Sequence, residues 1–144
     1  MTIAVWPSQL PRPERNTWNA RPQDARQKRQ SDAGPPGWRR KFSSAAKLVS
    51  LSVLLTRNQN AVFDNFYMHD TRHGTQLFWM PDPTTHGHAL LTADGKPILI
   101  TGGSSEGQPI LLGAQWLCSF GDELPSETIV GVEFRRAFSV VVMP

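Results

Sequence analysis

Four histidines are the side chains in this 144-residue chain best suited to metal chemistry. His69 and His73 are spaced i, i+4, and His86 and His88 lie two apart, so four imidazoles could in principle surround a metal ion. Solvated or hydrogen-bonded histidines at a helix end and in a loop account for the same pattern, and no metal ligand is assigned. Cys118 is the only cysteine, which excludes an internal disulfide and fits synthesis in a reducing cytoplasm. A small core residue explains it better than a nucleophile does. Serines are plentiful, but there is no Gly-x-Ser-x-Gly elbow and no His and acid pair placed to activate one. The run Gly102-Gly103-Ser104-Ser105-Glu106-Gly107 lacks the Gly-Lys-Ser/Thr ending that holds a phosphate and does not open a helix, so it reads as a loop. The expectation is a non-enzyme with no catalytic residue and no cofactor.

The other chemically active residues are cations. Residues 1–47 carry ten Lys or Arg against Glu14, Asp24 and Asp32, a net charge of +7; the remainder has five basic and nine acidic residues, a net charge of −4. Six of the twelve prolines also fall in this basic third, which shows no sustained apolar period. Residues 1–46 therefore read as an extended, Pro-rich N-terminal arm, and residues 47–144 as a β-domain with one helix. Arginines and lysines interleaved with Trp6, Trp18 and Trp38 could pair with phosphates and stack on bases, which makes a nucleic-acid-binding module one reading of the arm. Contact with protein is the favoured reading, because the rest of the same chain is acidic and copies could exchange arms.

The elements behind the arm follow from periodicity. Val49, Leu51, Val53 and Leu55 alternate on one strand face. Thr56-Arg57-Asn58-Gln59 then matches a capping box and predicts a helix over about 57–70, with Val62, Phe63, Phe66 and Tyr67 on one stripe and Gly74 as the stop. Leu77 to Met80 resumes as a strand that Pro81-Asp82-Pro83 ends. Asp94-Gly95 predicts a hairpin between Ala89–Leu91 and Pro97–Ile100. Short strands are expected at 109–112 and 115–120, a turn at 121–126, and one long strand over 129–143 that Arg136 interrupts. No internal repeat is visible. Residues Leu48-Val49, Val53-Leu54-Leu55 and Val140-Val141-Val142 are apolar on both faces, so something must cover the second side of the sheet: the helix, loops or a neighbouring subunit. Met1 to Trp6 is too short for a signal-peptide core, and no apolar run approaches a bilayer span, so no membrane anchor is expected.

Three stretches carry a family likeness. Leu48 to Val53 leads into a helix and on to Gly74-Thr75-Gln76-Leu77-Phe78-Trp79-Met80-Pro81; Gly113-Ala114-Gln115-Trp116 precedes Val132-Glu133-Phe134-Arg135-Arg136-Ala137-Phe138; and Asp32 to Arg40 includes Gly37-Trp38-Arg39-Arg40. Over roughly residues 29–143 the chain resembles the phage lambda minor tail protein M family, the distal tail proteins of long, noncontractile-tailed phages. The segment 82–112 is longer than in that family. The resemblance implies a mainly β fold, a β-sandwich or split β-barrel with one α-helix and a tail-tube-like design. It implies a homo-oligomer, a hexameric ring in the virion tail, joining the tail tube protein to tail hub and fibre proteins while DNA passes through its lumen. A tail terminator or head-tail connector ring is the alternative. A lumen should not hold phosphates strongly, so the arginine-rich arm is expected to face protein. Trp38, Arg39, Arg40 and Lys41 are the candidate subunit-interface residues. Leu51, Val62, Phe63, Phe66, Tyr67, Phe78 and Trp116 are the candidate helix–sheet core. Deleting residues 1–41 is expected to weaken assembly and leave a folded domain.

Overall fold

The computed structural model describes residues 2–144 and is mainly β with one helix, in keeping with the expected fold class. Its spine is an antiparallel pair. β5 (Lys47–Leu55) lies along β9 (Glu133–Val142) from Lys47 opposite Val142 to Leu55 opposite Phe134. Around it, β1 (Ala4–Val5), β6 (Phe78–Pro81) and β7 (Gln115–Phe120) extend one side, and β2 (Asn19–Pro22) closes the other. The far edge of β9 is shared, because β7 pairs with its C-terminal part and β8 (Ser126–Val130) with its N-terminal part.

Side-chain alternation along the spine sets the inner face. Val49, Leu51, Val53 and Leu55 point to the side that also carries Phe138, Val140, Phe78 and Cys118, and all are buried. Helix α1 (Arg57–Asn65) lies on this face, starting at the predicted capping box: the Gln59 N–H donates to the Thr56 hydroxyl, and the Thr56 N–H to the Gln59 side chain at 3.1 Å. Its last turn, Phe66–Asp70, is π-helical, with the Thr71 N–H donating to the Phe66 carbonyl at 3.0 Å. A continued α-helix would have set the charged Asp70 below Phe66; the wider turn sets Thr71 there, buried, with its hydroxyl donating to the Tyr67 carbonyl at 2.8 Å. Gly74 ends the segment at φ +81, and an added Cβ there would lie 3.2 Å from the Tyr67 ring and 3.3 Å from Phe120.

The predicted core holds. Leu51, Phe63, Phe66, Phe78 and Trp116 are buried, and Val62 and Tyr67 are partly buried against them. Arg136, the cation that interrupts the apolar face of β9, clamps the helix to the sheet. Its guanidinium donates to Asn60 at 2.9 Å and pairs with Asp64 and Glu127.

Three expectations need correction. The N-terminal segment is not an arm up to residue 46: Trp6 is 5% exposed and Leu10 8%, both within the core. The Trp6 ring centroid lies between 5.6 and 6.1 Å from those of Phe63, Phe66, Phe78 and Phe138. Trp18 stacks on Trp116 at 6.0 Å, and Glu14 accepts from Arg135 at 3.1 Å, so deletion of residues 1–41 would open the core. Four aromatic neighbours offset the entropy of ordering a proline-rich strand. The expected long strand over 129–143 is a hairpin, because Gly131 at φ +61 allows a tight turn that leaves Val132 92% exposed. Last, a repeat does exist. Ala89-Leu90-Leu91, Pro97-Ile98-Leu99 and Pro109-Ile110-Leu111 occupy equivalent places in a three-armed motif. The Leu90 N–H donates to the Ile110 carbonyl, the Ile110 N–H to Ile98 and the Ile98 N–H to Leu90, at 2.8, 2.9 and 2.9 Å, closing a circle. Three residues per copy at unequal spacing are too short to show as a repeat by letters alone.

Candidate functional site

The candidate site is a set of surfaces. On the outer face of the sheet, strand register joins apolar side chains into one band. Val5 is opposite Trp79, Trp79 opposite Leu117, and the Met143 N–H donates to the Leu117 carbonyl; Val141 follows two residues from Met143 on β9 and is opposite Leu48. Val5 and Trp79 are exposed and Leu48, Leu117, Val141 and Met143 half-buried. Helix α1 packs on β5 and β9 from the inner side, its Phe63 ring 5.5 Å from Phe138, and so leaves this band uncovered.

The second surface begins where the first ends. Beyond Pro22 and Lys47 the β2–β5 ladder continues, through Gln23 donating to Ala46 and Lys41 to Ala25, into a separate two-stranded hairpin. It consists of β3 (Arg26–Arg29) and β4 (Gly37–Arg40), exposed along their whole length. The candidate interface residues fall here together: Trp38 (53% exposed), Arg39 and Arg40 on β4, and Lys41 just after it. Arg26 sits directly opposite Arg40, a like-charge pair that weakens a ladder. Asp24 relieves Arg26 with a hydrogen bond at 2.9 Å, and that contact holds the Asp24 carboxyl below its ordinary range. The Arg26 guanidinium also lies 4.3 Å from the centre of the Trp38 ring. Lys28, Arg29, Arg39, Arg40 and Lys41 make no ion pair among the described residues.

A third surface runs from the β7–β8 connection, beside Ser139, along β8 to the β8–β9 turn. Residues 113–134 contain no Lys or Arg but hold Asp122, Glu123, Glu127 and Glu133, beside exposed Leu124, Ile129 and Val132. Glu127 is partly neutralised by Arg136 at 3.2 Å. The fourth is the three-armed motif, whose Leu91, Leu99 and Leu111 occupy equivalent exposed positions.

The groups weighed for metal or nucleophilic chemistry are dispersed. His86 Nδ1 accepts from the Ala114 N–H at 3.1 Å, Arg12 contacts His88 at 3.4 Å, and His73 meets the edge of Tyr67. Among the described residues no three His, Cys, Asp or Glu side chains come together as a metal site would need. Burial pushes the Cys118 thiol up to about 12. Among the described residues no helix is long and apolar enough to cross a membrane. The two-faced apolar runs pointed to the Leu48 and Val141 part of the outer band; its continuation through Val5, Trp79, Leu117 and Met143 and the N-terminal core residues were not expected from the sequence. The run Ile3-Ala4-Val5-Trp6 was the available signal, masked by the prolines that follow it.

Compared with known proteins, the chain matches no family model and no curated sequence.

Proposed function

We propose that the protein is a structural ring subunit of a phage tail. In this reading copies close into a hexamer at the distal end of the tail tube, join it to the hub and fibre proteins, and leave a lumen for DNA. The observation that carries the proposal is the apolar band Val5, Trp79, Leu117, Met143, Val141 and Leu48, contiguous across five strands and covered by no helix of its own chain. A contiguous apolar face on a small domain marks a surface that another molecule covers. Completing the burial of one Leu or Val adds on the order of 1 kcal/mol, and every subunit contact in a ring repeats the gain.

The test is the oligomeric state of purified protein by native mass spectrometry and negative-stain imaging. A sixfold annulus is expected, together with its loss in Leu117→Asp or Val141→Asp, whose melting temperatures should stay near that of the parent. A strictly monomeric parent that joins no tail would overturn the reading.

A further inference from the structure

We infer that the β3–β4 hairpin is a binding site for the phosphate backbone of duplex DNA. The inference stands apart from the ring reading, because a single copy carries the whole hairpin. Lys28, Arg29, Arg39 and Arg40 lie on its two strands, exposed and without an ion pair among the described residues. Asp32, in the loop between the strands, is exposed and pairs with none of them. Arg26 is left out of the count, since Asp24 holds it at 2.9 Å and the Trp38 ring at 4.3 Å. Lys41 is left out as well, because it acts on the same Asp24 carboxylate.

The basic composition left protein and nucleic acid both open as occupants, and strand register favours the second. Residues directly opposite in an antiparallel ladder share a face, and neighbours along a strand alternate. Lys28 and Arg40 therefore lie on one face with Arg26 and Trp38, whereas Arg29 and Arg39 lie on the other with Gln27 and Gly37. A flat acidic protein surface would meet one face and leave the charges of the other outside. A ribbon standing edge-on in a DNA groove has phosphates on both sides. Composition points the same way: Trp38 is the one large apolar side chain on the two strands, whereas protein interfaces are depleted of charge at their cores and protein–DNA interfaces are strongly positive. Size fits as well. A strand layer with its side chains is about 10 Å thick, and the major groove is about 12 Å wide. From the Arg26–Arg40 pair to the Arg29–Gly37 pair the ladder rises roughly 10 Å at about 3.3 Å per residue. Duplex DNA carries one charge per about 1.7 Å of its axis, so about six phosphates lie along that length, enough for all four cations. A polyanion also relieves Arg26 opposing Arg40, a like-charge pair that weakens the free ribbon. Such contact is independent of sequence, with Kd on the order of 10⁻⁴–10⁻⁶ M at physiological salt, and does not bar passage of DNA through a ring.

The test is fluorescence anisotropy of a labelled, random-sequence DNA duplex titrated with the full-length protein over a range of salt. With four phosphates neutralised per hairpin, log K should fall with log salt at a slope of about −3.6, so affinity drops on the order of 100-fold between about 50 and 200 mM. Arg39→Ala with Arg40→Ala should halve that slope, to about −1.8. A control, Arg57→Ala with Lys96→Ala, removes the same charge from exposed positions outside the hairpin and should keep the parent slope. Circular dichroism melts establish that both variants are folded. No binding by the parent at about 50 mM salt, or equal losses in the two variants, would overturn the inference. Displacement of the duplex by poly-glutamate at equal charge would overturn it too, and assign the hairpin to an acidic protein surface. Native mass spectrometry on the same samples reads the ring separately: a monomer that binds DNA overturns the ring reading alone, and rings that ignore DNA overturn this inference alone.

Discussion

Trp6→Ala asks whether the first residues of the chain belong to the domain. The indole is 5% exposed and its centroid lies within 6.1 Å of four phenylalanine rings from α1, the π turn, β6 and β9. Truncating such a side chain costs about 3–5 kcal/mol through lost burial and the cavity left behind. A domain of this size holds about 5–15 kcal/mol in total, so the loss is a large share of it. At about 2–4 °C per kcal/mol the melting temperature should fall roughly 6–20 °C, read by circular dichroism or calorimetry. The matched control replaces residues 26–40 with a short Gly-Ser turn, removing fifteen residues of exposed hairpin with no buried side chain. That control should melt within about 2 °C of the parent, since exposed segments contribute little. A Trp6→Ala protein as stable as the parent, or a hairpin deletion that unfolds, would refute the division of the first 46 residues into a core segment and a projecting hairpin.

Two further predictions concern the inner face. Phe66→Ala should cost about 3–5 kcal/mol in a urea titration, because its ring is buried edge-on against Phe78 at 5.3 Å and Trp6 at 5.6 Å. An unchanged midpoint would mean that the helix does not pack through Phe66. Cys118 should resist thiol reagents in the native protein at pH 8, where a thiol pushed up to about 12 is ionised in roughly one molecule in ten thousand, and react fully once unfolded. The linkage has a sign. The folded state holds the proton more tightly than the unfolded thiol, so this contribution is intact below pH 9.0 and is lost as pH rises through 9 towards 12; Cys118→Ala should remove that part of the alkaline slope.

Local chemistry alone determined the middle of the fold. Thr56 and Gln59 place the helix start because a capping box satisfies amides within four residues, and the spacing of Phe63 and Phe66 places its buried stripe without reference to anything distant. The alternation from Val49 to Leu55 likewise marks the inner face of β5. The composition of the basic third was legible too, and Trp38, Arg39, Arg40 and Lys41 do project into solvent. What composition could not reveal is that residues 2–22 pack onto the domain, with Trp6 and Leu10 in its core, while residues 26–40 leave it. Both pieces are proline-rich or cationic, and only the proximity of Phe63, Phe66, Phe78 and Phe138 gives Trp6 somewhere to be buried. The outer band is of the same kind: Val5, Trp79, Leu117, Val141 and Leu48 lie far apart in the chain and meet through strand register, a long-range pairing that no local pattern encodes.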